Sequence, residues 1–97
     1  MKYSFLPQAE EELNQAVEYY ESKQKELGLE FQLEVLNFIN LILSYPKTWV
    51  EISTGYRRIL LEKSPFSIVY SIENDSILII SIMNLHRKPF YWKNRIK

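Results

Sequence analysis

The chain has 97 residues, with twelve Lys or Arg, twelve Asp or Glu, one His and no Cys. A chain of this length is expected to form one domain, residues 1–97, and to bury somewhat over ~60% of its unfolded surface, so a single modest core suffices. Lack of Cys excludes disulfides and thiolate metal sites. The longest apolar run, Ile77 to Met83 interrupted by Ser81, falls far short of the ~20 residues of a membrane helix. No signal-peptide core precedes the acidic run Glu10 to Glu12; the expectation is a soluble, cytoplasmic protein with no membrane partner.

Lys2 to Phe5 reads as a short strand. Pro7 suits a first helical turn, and Glu10, Glu11 and Glu12 favour the positive end of the helix dipole. Ala9, Leu13, Ala16, Val17, Tyr20 and Leu27 follow the three-and-four spacing of one helical face, which predicts a helix over about 8–27 closed by Gly28 as its C-terminal cap. Leu6 stands where a capping Ser or Asp would be worth about 1 kcal/mol. A second helix, about 30–44, carries two apolar stripes, Phe31, Val35, Phe38 and Ile42 on one and Leu33, Leu36 and Leu43 on the other; Tyr45-Pro46 ends it. Packing of the second stripe against the first helix is the simplest account of so wide an arc, because helices joined by a short connection are usually antiparallel neighbours.

The second half reads as a meander of three antiparallel strands, 56–62, 66–73 and 76–84, with hairpin-length connections at Lys63-Ser64-Pro65 and Asn74-Asp75. The middle strand alternates Phe66, Ile68, Tyr70 and Ile72 with Ser67, Ser71 and Glu73, giving one apolar and one more polar face. Ile77 to Ile82 is apolar at nearly every position, as expected of a central strand covered on both faces. Its free side needs a partner, and only the N-terminal strand is left. The expected sheet order is 1-4-3-2, and the expected fold class α+β: a short N-terminal strand, a helical hairpin, then the meander.

Charge is unevenly spread. Residues 1–46 hold three Lys and eight Glu, a net −5, whereas residues 47–97 hold nine Lys or Arg and four acids, a net +5. The second half therefore offers a basic surface to an acidic partner or a nucleic acid, unless the two halves simply neutralise each other. Arg57 and Arg58, adjacent on one strand, project to opposite faces, so one is expected to join a site and the other to be solvated. Arg87 and Lys88 follow the last strand, next to the only His, His86, and the aromatics Tyr91 and Trp92. Imidazole titrates near ~6.5 and can move a proton at neutral pH. RNA cleavage would also need a second proton carrier and a cation, and Tyr91 and Arg87 are the nearest candidates. For Tyr91 and Trp92, sealing the core competes with base stacking. With a single His and a glutamate run on successive helical positions, no metal site is expected. No phosphate-binding glycine loop or nucleophile elbow occurs, so no cofactor is expected either.

Taken together and in order, Pro7-Gln8-Ala9-Glu10-Glu11-Glu12-Leu13, Tyr19-Tyr20-Glu21, Gly28-Leu29-Glu30-Phe31, Tyr45-Pro46, Tyr56-Arg57-Arg58-Ile59-Leu60-Leu61, Pro65-Phe66-Ser67-Ile68-Val69-Tyr70 and Arg87-Lys88-Pro89-Phe90-Tyr91-Trp92 resemble the RelE/ParE superfamily, the toxin halves of bacterial type II toxin-antitoxin modules. The resemblance implies a helical hairpin on a small, mainly antiparallel sheet, and a cognate antitoxin as partner in a hetero-oligomer. It implies one of two targets: RelE-like members cut messenger RNA on the ribosome, and ParE-like members inhibit DNA gyrase by a protein contact. Net neutrality, the long hairpin and the Arg-Lys-Pro-Phe-Tyr-Trp ending look more like the ParE-like branch. Counting back from Pro89, the usual family His position holds Asn84, with His86 two residues later.

The expectation is thus a toxin that inhibits gyrase by protein binding, with Arg57, Arg58, Arg87, Lys88, Tyr91 and Trp92 as its binding residues. The alternatives are a metal-independent, ribosome-dependent endoribonuclease using His86, Arg87 and Tyr91, and a degenerate toxin that retains only antitoxin binding.

Overall fold

The fold was obtained as a computed structural model, which describes residues 1–96; Lys97, counted in the basic half, lies outside them. Chain order is β1 (Lys2–Phe5), α1 (Pro7–Lys23), α2 (Leu27–Ser44), β2 (Glu51–Ser53), β3 (Tyr56–Leu60), β4 (Phe66–Glu73), β5 (Ser76–Asn84) and a 3-10 turn, Tyr91–Arg95. The almost unbroken apolar run of β5 places it inside the sheet, parallel to β1 and antiparallel to β4. The full order is β1-β5-β4-β3-β2. The expected order of four strands holds, and a fifth, β2, lies beyond them at the edge with Glu51 opposite Arg57. Three residues with no periodicity gave no strand signal.

Both helices cover one face of the sheet. Ala9 and Ala16 of α1, and Phe31, Val35, Ile39 and Ile42 of α2, pack on Ile59, Ile68, Tyr70, Ile77, Ile79 and Ile82. At ~25 cal/mol per Å² of buried apolar surface, each such aliphatic residue is worth about 2 kcal/mol against exposure. The opposite face holds a smaller cluster of Val69, Ile80, Met83 and Trp92.

The helical connection differs from expectation. α1 stops at Lys23, and Gly28 does not cap it but lies buried in the first turn of α2. The reversal is made at Glu26, whose φ of 72° is left-handed. Glu21 completes the corner: its Oε2 accepts the Glu26 amide at 2.9 Å and its Oε1 the Gly28 amide at 3.0 Å. Two N-terminal amides of the second helix thus find an acceptor on the first. Gly28 is required because a Cβ there would come 2.5 Å from the Val17 carbonyl oxygen.

Leu6 is the N-cap of α1 and makes no side-chain cap bond, as its apolar side chain dictates. Its amide instead donates to the Ile79 carbonyl at 2.9 Å, carrying the β1–β5 ladder one residue further. On α2 the second apolar stripe is not absorbed by α1: Leu33 and Leu36 face solvent, together with Leu29 and Leu41, while Leu43 packs on the core. By length and composition this helix is apolar enough to cross a membrane; its Phe31-Val35-Ile39-Ile42 stripe is spent on the sheet.

Candidate functional site

β1 ends opposite Ile79, so β5 continues past its neighbour with backbone groups that need other partners. Side chains take over there. Glu12 falls on the helical stripe of Ala9 and Ala16, facing the sheet, and its Oε1 accepts the Ile82 amide at 3.2 Å. Arg95, from the C-terminal turn, donates Nη1 to the Ile80 carbonyl at 3.1 Å. The two then pair directly, Nη1 to Oε1 at 2.8 Å and Nη2 to Oε2 at 2.9 Å. A carboxylate removed from water demands this kind of compensation. Ser81 Oγ lies 3.0 Å from Glu12 Oε1 and 2.9 Å from the Tyr91 hydroxyl, which donates to Glu12 Oε2.

The network sets the protonation of its members. Burial, followed by the hydrogen bond to the Glu12 carboxylate, holds the Tyr91 phenol above its usual range. The same carboxylate raises Arg95, which stays a cation throughout. Among the described residues this is the one ion pair, so the acidic and basic halves of the chain meet in a salt bridge at this point alone.

Beside the network a groove of about 510 Å³ runs between α1 and the end of the sheet. Ala16, Tyr19, Tyr20, Phe66 and Ile82 supply apolar and aromatic lining; Glu12, Gln15, Asn84, His86, Arg87 and Tyr91 supply polar groups. His86 is exposed, its backbone amide held by Asn84 Oδ1 at 2.8 Å. The Arg87 guanidinium stands 4.2 Å from the Tyr91 ring centroid, a cation–π contact. His86, Arg87 and Tyr91, grouped by sequence, are therefore brought together.

The other expected binding residues are not. Arg57 and Arg58 do take opposite faces, but Arg57 is not simply solvated. Its Nη1 donates to the Trp49 carbonyl at 2.7 Å and the Lys47 carbonyl at 3.2 Å, pinning the segment after α2. Arg58 lies on the other side of the sheet, beside Trp92. Trp92 has no accessible surface and seals the smaller core cluster. Lys88 is exposed.

Glu12, Ser81 and Arg95 form a constellation that the sequence expectations do not include. Two signals existed: a glutamate in register with Ala9 and Ala16 on the apolar stripe, and a serine inside the Ile77–Met83 run. Polar residues on buried stripes imply a buried partner.

A helical hairpin on one face of a small mixed sheet is a RelE/ParE-like α+β fold. A structure described as a chromosomal ParDE toxin-antitoxin system from P. aeruginosa superposes with a TM-score of 0.77 at 18% identity, covering 89% of this chain and 97% of that one. The isolated E. coli RelE toxin gives a TM-score of 0.66 at 16% identity over 97% and 94%. Among curated proteins, none matches by sequence. The family model for the ParE toxin of the type II toxin-antitoxin system parDE matches residues 3–89. The chain belongs to that family, the ParE-like branch of the RelE/ParE superfamily.

Proposed function

We propose that this toxin acts in the cytoplasm by binding an essential protein, DNA gyrase, and that a cognate antitoxin silences it by covering the groove beside Tyr91 and the basic C-terminal segment. The observation that carries the reading is the Glu12 network. Tyr91, the proton carrier expected to serve beside His86, already donates its proton to Glu12 and holds it more tightly than an ordinary phenol. A general acid needs a pKa near the working pH, and this one is displaced the wrong way. What the groove does offer is aromatic surface beside charged and polar groups, suited to an amphipathic polypeptide segment.

A second reading, message cleavage on the ribosome, is favoured by the shared position of His86, Arg87 and Tyr91 on one groove. Purified protein added to a gyrase supercoiling assay and to a translation extract separates the two. Blocked supercoiling with intact messages is the expected outcome, and cleaved messages with normal supercoiling would reverse the assignment. Growth left untouched by induced expression without antitoxin would indicate a degenerate toxin.

A further inference from the structure

The second helix keeps an apolar stripe that the core does not use. Leu29, Leu33 and Leu36 are 53%, 50% and 36% exposed, on the side of α2 turned away from the sheet, with Leu41 exposed beside them. Single exposed leucines are ordinary, but several side by side on one helix make a patch of the kind that marks an interaction surface.

Their spacing says what kind of contact suits them. Leu29, Leu33, Leu36 and Asn40 follow one another by four, three and four residues, the alternation that in a heptad marks the seam where one helix packs along another. Leu43 comes three residues later but packs on the core of its own chain, so the open seam ends at Asn40, which is exposed. A single Asn on such a seam fixes register and orientation. In a parallel pair of identical helices it meets its own copy, and an amide, which carries both donor and acceptor, can pair with itself. In an antiparallel pair it would face a leucine and lose those hydrogen bonds.

The charge of the helix narrows the occupant further. Leu27–Ser44 contains no Lys or Arg. Its two acids are Glu30, in the first turn, and Glu34, which is buried and accepts from the Lys63 amide at 2.6 Å and the Ser64 hydroxyl at 2.9 Å. Nucleic acid or an anionic lipid surface would call for cations on this face. A two-fold contact instead sets one patch against the same patch, where net charge would repel itself. The exposed residues from Gln32 to Ser44 are Gln, Leu, Asn and Ser only, so the stripe meets that condition.

We propose that α2 is a self-association surface: two copies of this chain pair their second helices in parallel along Leu29, Leu33 and Leu36, with each Asn40 facing the other. The stripe is at most one helix long, ~27 Å at 1.5 Å per residue, and ~10 Å wide. It falls well under the ~800 Å² per partner of a standard interface, so the dimer is dynamic, with a dissociation constant on the order of 10–100 µM. No wall of the groove at Tyr91 comes from α2, so the contact draws on no residue of that site.

Sedimentation velocity of the whole protein from about 2 to about 500 µM is expected to show monomer passing into dimer. Leu33→Gln and Leu36→Gln change exposed side chains, so each should keep its far-UV spectrum and weaken association about tenfold or more. Orientation is read from introduced cysteines, since the chain has none of its own. Asn40→Cys should form a disulfide-linked dimer much faster than Glu18→Cys, an exposed control on α1. A protein monomeric throughout, or dimerisation unaltered in whichever glutamine variant folds, would overturn the proposal, as would cross-linking at Asn40→Cys no faster than at Glu18→Cys. Two other occupants are tested alongside with the same variant. Flotation with phosphatidylcholine vesicles that Leu33→Gln abolishes, or antitoxin affinity that it abolishes, with the free protein monomeric, would give the face to a membrane or to the antitoxin and overturn self-association. Gyrase and message enter none of these measurements, so their outcome leaves the toxin's target a separate question.

Discussion

Arg95 and Glu12, 83 residues apart in sequence, close the two ends of the domain on each other through a two-point ion pair with nitrogen–oxygen distances of 2.8 and 2.9 Å. The pair also replaces a missing strand, because both partners bond to β5 backbone groups beyond the end of β1. Removing one partner strands the other's charge next to apolar surface, which costs more than the pair contributes. Arg95→Ala is therefore expected to lower unfolding free energy by about 3 kcal/mol, at the lower end for buried pairs because both side chains keep some exposure. Replacing Glu12 and Arg95 together by Leu and Met removes the stranded charge but leaves the Ile82 amide and the Ile80 carbonyl without these partners, so it should recover only part of that loss. Urea unfolding of the single and double variants measures both numbers; a double variant as unstable as the sum of the singles would contradict a coupled pair.

Alkaline pH probes the same network through Tyr91. Burial and the Glu12 carboxylate raise its pKa in the folded state above the ordinary value of 10.0. The folded protein then binds more protons than the unfolded one at high pH, so stability falls as pH rises. The contribution is intact below about pH 10 and is lost as pH climbs through the raised folded value. Tyr20 and Tyr70 shift in the same direction, first through burial. Tyr91→Phe should flatten part of the alkaline limb of a stability–pH profile and leave the rest, an outcome readable from unfolding midpoints at pH 8, about 10 and about 11.

The helical corner gives a sharper prediction. Gly28→Ala would place a methyl carbon 2.5 Å from the Val17 carbonyl oxygen, a backbone atom that cannot step aside without parting the helices. A cost of about 1–3 kcal/mol is expected, as for overpacking elsewhere, against the small gain alanine normally gives inside a helix. Glu21→Gln, which keeps an acceptor for only part of its paired role toward Glu26 and Gly28, should cost about 1 kcal/mol, as for a lost helix cap. Thermal unfolding distinguishes the two by size, and a stabilised Gly28→Ala protein would contradict the close approach.

Local patterns carried much of the fold. The solid apolar run of β5 and the need for a strand on its free side were enough to order four strands, since hairpin connections leave few topologies open. The alternation in Phe66–Glu73 marks a strand but not its cover, because Ser67, Val69 and Ser71 on its more polar face are buried too. The corner after α1 was illegible for a related reason. Gly28 reads as a cap, whereas the left-handed residue is Glu26, a type that rarely takes that conformation, held there by Glu21. The site divided in the same way. His86, Arg87 and Tyr91 are close in sequence and share the groove. Glu12 and Arg95 are joined only by folding, and no local pattern reports a contact across nearly the whole chain. Arg57 and Arg58 are alike in sequence, and only the path of the segment after α2 decides that Arg57 binds carbonyls while Arg58 lies half-buried on the other face.

Arg87 and Lys88 separate binding from folding. Both are exposed, Arg87 rests on the Tyr91 ring, and neither forms an ion pair among the described residues. A surface cation–π contact is worth ~0.5–1 kcal/mol, so the double change Arg87→Ala and Lys88→Ala should leave unfolding free energy within about 1 kcal/mol of the parent. Partner association should respond far more, because rim charges act on the encounter rate and on its salt dependence. With the cognate antitoxin as the probe, the double variant is expected to associate several-fold more slowly at low ionic strength, and the difference should shrink as salt screens the charges. An unchanged rate at low salt would place the antitoxin elsewhere on the surface.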